Sequence, residues 1–156
     1  MARKRLLSKS KYLNGLQCPK YLWVKLNEPD RVPQFDASTQ QRFNQGHLIG
    51  EFAKKQFPDG IDIPACKFTD NLKQTEELLK KCKPLFEAGI MVGNAFSRID
   101  ILKPVGKDEW DIIEVKGSTK VKEEHIHDVS FQRHVYQLAG LKIRKCFLLH
   151  INNKFI

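Results

Sequence analysis

The 156-residue sequence lacks several features that would assign it to a large class of proteins. No apolar run approaches the roughly 20 residues of a membrane-spanning helix, and residues 1–7 are basic without a hydrophobic signal region behind them. Repeats and low-complexity segments are also absent, which excludes a solenoid array and a linker-like chain. We therefore expect an intracellular, cytoplasmic protein.

Cysteine is scarce, and its spacing excludes a common class of metal site. The four cysteines lie at positions 18, 66, 82 and 146, with no C-x-x-C pair among them. A zinc ribbon is therefore not expected, and reduced thiols are the default.

Acidic residues are outnumbered by basic ones. The chain has 27 Lys and Arg against 18 Asp and Glu, which gives a net charge of +9. Such a surplus favours a polyanionic partner, either nucleic acid or, as the weaker alternative, an anionic membrane. The length suits one domain with a real hydrophobic core.

The most informative stretch is residues 96–117, FSRIDILKPVGKDEWDIIEVKG. Two β-type runs, Ser97–Leu102 and Trp110–Lys116, are separated by a polar loop containing Pro and Gly, which predicts a hairpin. If the hairpin is symmetric about Lys107, Asp100 lies opposite Glu114. Directly paired residues have Cβ atoms roughly 5 Å apart.

Side-chain alternation along these strands predicts a charged cluster. Asp100 should share one face with Leu102, while Ile99 and Ile101 take the other. On the second strand, Glu114 and Lys116 share a face with Ile112, and Ile113 and Val115 turn inward. Two adjacent carboxylates repel each other unless a cation lies between them, and oxygen ligands suit Mg²⁺ or Mn²⁺ better than Zn²⁺. The alternative is a solvated face with weak ion pairs.

The segment Ser8–Asn27 predicts two short helices, the first capped by Ser8. Lysines interleaved with aromatic residues are typical of a surface that holds a nucleic-acid strand. Lys9, Lys11 and Lys20 are the candidate phosphate contacts. The alternative is a docking pair of helices with solvated lysines.

A longer helix should follow, capped at Asp36 or Ser38 and stopped at Pro58. Its glycines suggest close approach of another element. His47 and Glu51 are four residues apart and share a different face. The predicted packing stripe is Phe43, Gly46, Gly50, Ala53 and Phe57.

The remaining pattern predicts an α/β fold. The stretch Ile61–Phe68 is ambiguous between strand and loop. A helix over Asp70–Lys83, a strand over Leu85–Val92 and the hairpin should come next. A crossover helix over Lys122–Leu138 then leads to an interior strand over Ile143–Ile151.

The crossover helix carries polar residues at intervals of four, beside its buried stripe. Asp128, Gln132 and Tyr136 can hang over the sheet edge where the carboxylates lie. The helix also carries three histidines, His125, His127 and His134. No thiolate or spaced histidine partner supports a metal site there, so we expect solvated side chains.

Three features now occur in order along the chain: Asp100, the tripeptide Glu114-Val115-Lys116, and the pair Gln132-x-x-x-Tyr136. Their order and spacing resemble the RecB-like branch of the PD-(D/E)XK nucleases, which includes the CRISPR-associated RecB-like exonucleases. The segments SKSKYLNGLQCPKYLW, GHLIGEFAKKQFPDG and DVSFQRHVYQLAG are similar to a further group of RecB-type nuclease domains.

The resemblance implies a role for each matching residue. Asp100 and Glu114 match the metal-binding carboxylates, the carbonyl of Val115 matches a further ligand, and Lys116 matches the catalytic lysine. Gln132 and Tyr136 match the motif that steadies DNA.

The implied architecture is a mixed β-sheet with a central antiparallel hairpin flanked by helices. The resemblance makes this a restriction-endonuclease-like core over residues 37–156, preceded by a helical arm and loop over residues 1–36. We expect either a fragment of a longer protein or a minimal nuclease core.

Two positions depart from the family pattern. RecB-like enzymes carry a metal-binding His four residues after the helix glycine, but here Gly50 follows Gly46 at that spacing. Glu51, the next residue, is a candidate substitute ligand. Cys18 is placed like the first ligand of an iron–sulfur cluster, but the other cysteines do not reproduce the clustered spacing, so no cluster is expected.

The expected function is a Mg²⁺- or Mn²⁺-dependent deoxyribonuclease, exonuclease-like on single strands or DNA ends. The expected partners are DNA, with RNA as an alternative, and a larger nuclease–helicase or defence complex, but no membrane. The alternative function is a non-catalytic nucleic-acid-binding module with a nuclease-like fold in a repair or defence assembly.

Overall fold

The computed structural model describes residues 5–34, 36–64 and 67–154 of the chain. The elements, in chain order, are β1 Leu7–Ser8, α1 Lys9–Gln17, α2 Pro19–Asn27, a 3-10 helix Pro29–Arg31, α3 Ala37–Lys54, β2 Ile61–Asp62, α4 Phe68–Leu79, β3 Leu85–Val92, β4 Ala95–Val105, β5 Glu109–Lys116, α5 Glu123–Leu138 and β6 Lys142–His150. None of the helices in these ranges is long and apolar enough to cross a membrane.

The strands form a mixed sheet with helices against it. In the described part of the chain the sheet has six strands, ordered β2-β3-β4-β5-β6, and β1 pairs with the start of β4. Strand β4 is antiparallel to both β3 and β5, whereas β2 runs parallel to β3 and β6 parallel to β5. Helix α5 is the crossover between β5 and β6. The predicted α/β fold, a mixed sheet with a central antiparallel hairpin flanked by helices, is confirmed.

Strands β4 and β5 form the hairpin that the sequence predicts. Val105 pairs with Glu109, so the register is centred on Lys107. Because the pairing is antiparallel, continuing this register along the strands places Asp100 opposite Glu114.

The alternation of side chains along β4 is interrupted at Asp100. Ile99 and Leu102 both belong to the core cluster that includes α5, whereas Ile101 belongs to the other cluster. On the neighbouring strand, Glu87 has a positive φ of 57°, which breaks the regular pleat. The prediction that Ile99 and Ile101 share a face is therefore wrong.

Two clusters of buried side chains attach helices to the sheet. One contains Phe131, Val135 and Tyr136 of α5 together with strand residues such as Ile112. The other contains Ala53 of α3 and side chains of β3, β4 and β5. Full burial of one large apolar side chain contributes about 1.5–3 kcal/mol, so α5, which buries several, is held much more firmly than α3.

Helix α3 packs less closely than predicted. Asp36 caps it, accepting a hydrogen bond from the backbone N–H of Thr39 at 2.8 Å. Ala53, near its C-terminal end, is its buried residue. A Cβ added at Gly46 or Gly50 would meet nothing within 4 Å in the part of the chain that the structure describes. The prediction that these glycines permit a close approach is wrong.

Other boundaries differ in smaller ways. The two helices predicted within Ser8–Asn27 are confirmed, and Sγ of Cys18 caps α2 by accepting from the N–H of Tyr21 at 3.4 Å. The stretch Ile61–Phe68 contains β2 and the start of α4, and Cys66 lies outside the described residues. Strand β6 lies at an edge of the described sheet, not in its interior, because it pairs with β5 on one side and with no described strand on the other.

Candidate active site

The two predicted metal-binding carboxylates meet at the end of the hairpin. Oδ2 of Asp100 accepts a hydrogen bond from the backbone N–H of Val115 at 2.7 Å. Glu114 precedes Val115 on β5 and is 2% exposed. The hairpin register therefore brings both carboxylates and the backbone of Val115 to one place.

Lys116 joins this group and connects it to α5. Its Nζ lies 2.7 Å from Oε1 of Glu114 and 2.5 Å from Oδ2 of Asp128. Asp128 is on the first half of α5 and is 2% exposed. Buried ions lose hydration worth several kcal/mol each, so they persist only with good partners. The Lys116 ammonium group is thus fixed by one carboxylate from its own strand and one from the helix.

Helix α5 contributes two further residues. The side-chain amide of Gln132 donates to Oε2 of Glu114 at 2.6 Å and to Oδ1 of Asp128 at 2.9 Å. The hydroxyl of Tyr136 donates to the backbone carbonyl of Ala88 on β3. Both side chains are fully buried. Gln132 therefore orients the carboxylates, while Tyr136 attaches the helix to the sheet.

The N-terminal helix reaches the same group through Lys9. Its Nζ lies 2.8 Å from Oε1 of Glu114 and 3.4 Å from Oδ1 of Asp128. The other two candidate DNA-binding lysines lie elsewhere. Lys11 donates to a backbone carbonyl of the preceding segment at 2.7 Å, and Lys20 is exposed on α2.

Burial and charge set the pKa values of these groups in opposite directions. Burial raises the pKa of Asp100, and burial together with the Asp100 charge raises the pKa of Glu114. Burial alone would raise the pKa of Asp128, but Lys9 and Lys116 hold it below its ordinary value. Burial alone would lower the pKa of Lys116, but Glu114 and Asp128 raise it. Three carboxylates thus share two ammonium groups.

A cavity of about 770 Å³ opens beside the carboxylates, between α3 and the sheet. Glu51 and His47 of α3 line it, as do Asp100, Glu114 and Val115. Glu51 is exposed, and its Oε1 lies 2.9 Å from the ammonium group of a lysine one turn along α3. The helix therefore places Glu51 in the lining of the same cavity as the two hairpin carboxylates.

The donor set fits a hard cation. Carboxylate and carbonyl oxygens suit Mg²⁺ and Mn²⁺. Burial and then the charge of Asp100 raise the pKa of Glu114, and a positive ion would relieve the second effect. The described residues include no group of three or more His, Cys, Asp or Glu side chains arranged to hold a metal ion. Two carboxylates and a backbone carbonyl suffice for Mg²⁺, because this ion keeps several water ligands.

The histidines of α5 do not belong to the site. His134 is exposed and His127 is half-buried. His125 is buried, and its Nδ1 accepts a hydrogen bond from the backbone N–H of Lys122 at 3.3 Å. Burial lowers its pKa. The prediction of a solvated side chain is wrong for His125, because it caps the helix.

The sequence does not indicate the positions of two residues at the site, Glu87 and Lys9. Asp128 lies beside the carboxylates, where its four-residue spacing from Gln132 indicated. Glu87 lines the cavity and pairs with Nε of Arg98 at 3.0 Å. Nothing in the local sequence of Lys9 indicates that it contacts the hairpin.

Comparisons of the chain with protein-family models, with curated proteins and with solved structures give no match. A functional interpretation of this site therefore depends on the chemistry of its own residues.

Proposed function

We propose that the protein is a Mg²⁺- or Mn²⁺-dependent deoxyribonuclease of the RecB-like type, with a restriction-endonuclease-like core. One observation carries the proposal: Asp100, Glu114 and Lys116 converge, with Nζ of Lys116 2.7 Å from Oε1 of Glu114. Paired carboxylates beside a lysine are the groups that hydrolysis of a phosphodiester requires.

Each residue has a part in this chemistry. Asp100, Glu114 and the carbonyl of Val115 would hold the cation, with Glu51 as a further oxygen donor on the same cavity. When bound, such an ion polarises a phosphate oxygen and acidifies a water molecule. Lys116 positions that water and offsets the negative charge that develops on the phosphate.

Two residues of α5 keep these groups in place. Asp128 fixes the ammonium group of Lys116, and Gln132 fixes the Glu114 carboxylate by donating to its Oε2. Catalytic groups that are held by buried partners need no reorganisation during the reaction.

The proposal that DNA is the substrate rests on charge. A net charge of +9 favours DNA, whose phosphates attract Lys and Arg whatever the sequence. Arg42 and Arg98 line the cavity that leads to the carboxylates. We propose single strands or DNA ends as substrate, acted on in the cytoplasm within a larger nuclease–helicase or defence complex.

The direct test is cleavage of end-labelled single- and double-stranded DNA by the purified chain with Mg²⁺, with Mn²⁺ and with EDTA. Lys116→Ala should abolish cleavage and leave DNA affinity within a few fold, because one phosphate contact among several is a small part of the electrostatic attraction. Lys80→Ala, at an exposed position after α4, is the matched control and should cut like the wild type.

A second candidate is a non-catalytic DNA-binding module. It is favoured by the engagement of both Glu114 oxygens by Lys9, Lys116 and Gln132. Steeply salt-dependent DNA binding without cleavage in either metal, unchanged by Lys116→Ala, would establish this module in place of the nuclease.

A further inference from the structure

The backbone of Lys9 is held in position by three contacts of the surrounding segment. Lys9 is the first residue of α1, and Ser8 caps that helix by accepting from the N–H of Lys11 at 3.4 Å. Strand β1, just before it, is paired with β4. Tyr12, one turn later, stacks on Phe131 of α5 with ring centroids 4.9 Å apart. The helix therefore aims Lys9 at the carboxylates and does not leave it on the surface.

Oε1 of Glu114 is fully engaged. Oε1 accepts from Nζ of Lys9 at 2.8 Å and from Nζ of Lys116 at 2.7 Å, while Oε2 accepts from Gln132 at 2.6 Å. A carboxylate oxygen that serves two ammonium groups has no free direction for a metal ion. A cation that binds Oε1 must therefore displace one of the two lysines.

Lys9 is the more easily displaced of the two. The second contact of Lys116, with Oδ2 of Asp128, measures 2.5 Å, whereas that of Lys9, with Oδ1 of Asp128, measures 3.4 Å. Ion pairs weaken with distance. The side chains of Lys9 and Lys116 are similarly exposed, at 25% and 21%, so the distance to Asp128 is what distinguishes the two lysines.

We propose that Lys9 and a divalent cation compete for Oε1 of Glu114, and that the displaced Lys9 binds a phosphate of the DNA. This proposal rests on the proposed function, which supplies its two ligands, the divalent cation and DNA. The flexible four-carbon stem lets the Lys9 ammonium group exchange partners while α1 stays docked. Cation binding and DNA binding are then coupled through one side chain.

Calorimetric titration with Mn²⁺ tests the competition without any measurement of cleavage. Removing a unit positive charge beside a doubly charged ion should tighten binding by roughly tenfold or more. Lys9→Met and Lys9→Gln should both show this, whereas Lys9→Arg, which keeps the charge, should not. Lys80→Met should bind like the wild type, and Asp100→Ala should lose binding.

Several results would overturn the competition. One is unchanged or weaker Mn²⁺ binding by folded Lys9→Met and Lys9→Gln, with folding checked by circular dichroism. Another is the same tightening in Lys80→Met. If the wild type binds no Mn²⁺ but the neutral variants do, competition is supported, and if none of them binds, it is refuted.

Filter binding of single-stranded DNA, in EDTA and in Ca²⁺, tests the release of Lys9. Lys9→Met should lose DNA affinity several-fold in Ca²⁺ and little in EDTA, because Lys9 is free for phosphate only when a cation occupies Oε1 of Glu114. Equal losses in both buffers would refute the release. These are binding measurements, so a protein that shows both effects but never cuts DNA refutes the nuclease proposal and keeps this one.

Discussion

Among single residues, Asp128 supplies the negative charge with which α5 holds the two lysines of the site. It contacts both lysines, and they hold its pKa below the ordinary value against the effect of burial. Replacing it by the isosteric Asn keeps the shape and removes the charge. Lys9 and Lys116 would then share Glu114 and Asp100 alone.

We expect Asp128→Asn to lower the free energy of unfolding by about 3 kcal/mol at pH 7, the order found when one partner of a buried pair is removed. A carboxyl whose pKa is lowered by folding stabilises the protein above its unfolded pKa, about 3.9 for Asp. This contribution is lost as the pH falls toward the lower folded value. The difference between variant and wild type should therefore persist to about pH 4 and shrink below it.

Urea denaturation of both proteins across a pH series measures this difference. A gap that stays constant into strong acid, or that widens there, would show that Asp128 acts through packing and not through its charge. Cleavage by Asp128→Asn should also be reduced at saturating DNA, because Lys116 loses its second partner.

Within the elements, Tyr136 shows how α5 is tied to the sheet. The resemblance assigns it to DNA, but its side chain is fully buried and its hydroxyl donates to the carbonyl of Ala88. Tyr136→Phe leaves that carbonyl without its donor, which should cost about 1–3 kcal/mol. Because the buried hydroxyl does not reach DNA, the DNA affinity should stay within about twofold of wild type, whereas a lost contact worth 1.4 kcal/mol would lower it about tenfold. Thermal unfolding measures the structural role of Tyr136, and filter binding measures any role in DNA binding. A large loss of DNA affinity in a variant that stays stable would show that Tyr136 does contact DNA.

A second element-scale prediction concerns the contact of α4 with β3. The backbone N–H of Gly89 donates to Oγ1 of Thr75 at 3.0 Å, and a Cβ added at Gly89 would lie 2.0 Å from Oδ1 of Asn71. Gly89→Ala should therefore destabilise the protein by about 1–3 kcal/mol. Gly46→Ala is the matched control, because a Cβ there meets nothing in the described chain, and alanine in a helix should add up to about 1 kcal/mol. Equal melting temperatures for the two variants would contradict this account.

The hairpin was predictable because its information is local. The alternating runs and the loop around Lys107 set the register that places Asp100 opposite Glu114. The interruption of the pleat at Asp100 was not predictable, because it depends on the backbone of Glu87 on the neighbouring strand. The edge position of β6 depends on which strands complete the sheet, which its own apolar sequence does not encode.

For the whole molecule, the net charge of +9 should govern binding to DNA. Lys20 is exposed on α2, and Lys11 is half-buried on α1. Replacing both by Ala should flatten the log–log salt dependence of DNA affinity by up to about two units, near one for each lost phosphate contact. The cleavage rate at saturating DNA should not change. A salt series of filter-binding measurements, with Lys80→Ala as control, would reveal an unchanged slope if these lysines do not meet phosphate.

The candidate site was predictable only as far as its residues are close in sequence or follow a helical spacing. Glu114 and Lys116 lie on one strand, and the four-residue spacing on the crossover helix predicted the position of Gln132. Lys9 was predicted as a surface lysine, since α1 resembles any amphipathic docking helix. Its contact with Glu114 depends on the packing of Tyr12 against α5, which the local pattern does not specify.

The contact between Lys9 and Glu114 joins positions 105 residues apart in the chain. Closing so long a loop costs more entropy than forming the hairpin, whose strands are neighbours in sequence. The hairpin and α5 can therefore assemble first, and the N-terminal helix docks onto them afterwards. During synthesis the first residues leave the ribosome long before their partners exist. We expect the site to form late in folding, so a chain interrupted before α5 should hold neither Lys9 nor Lys116 in place.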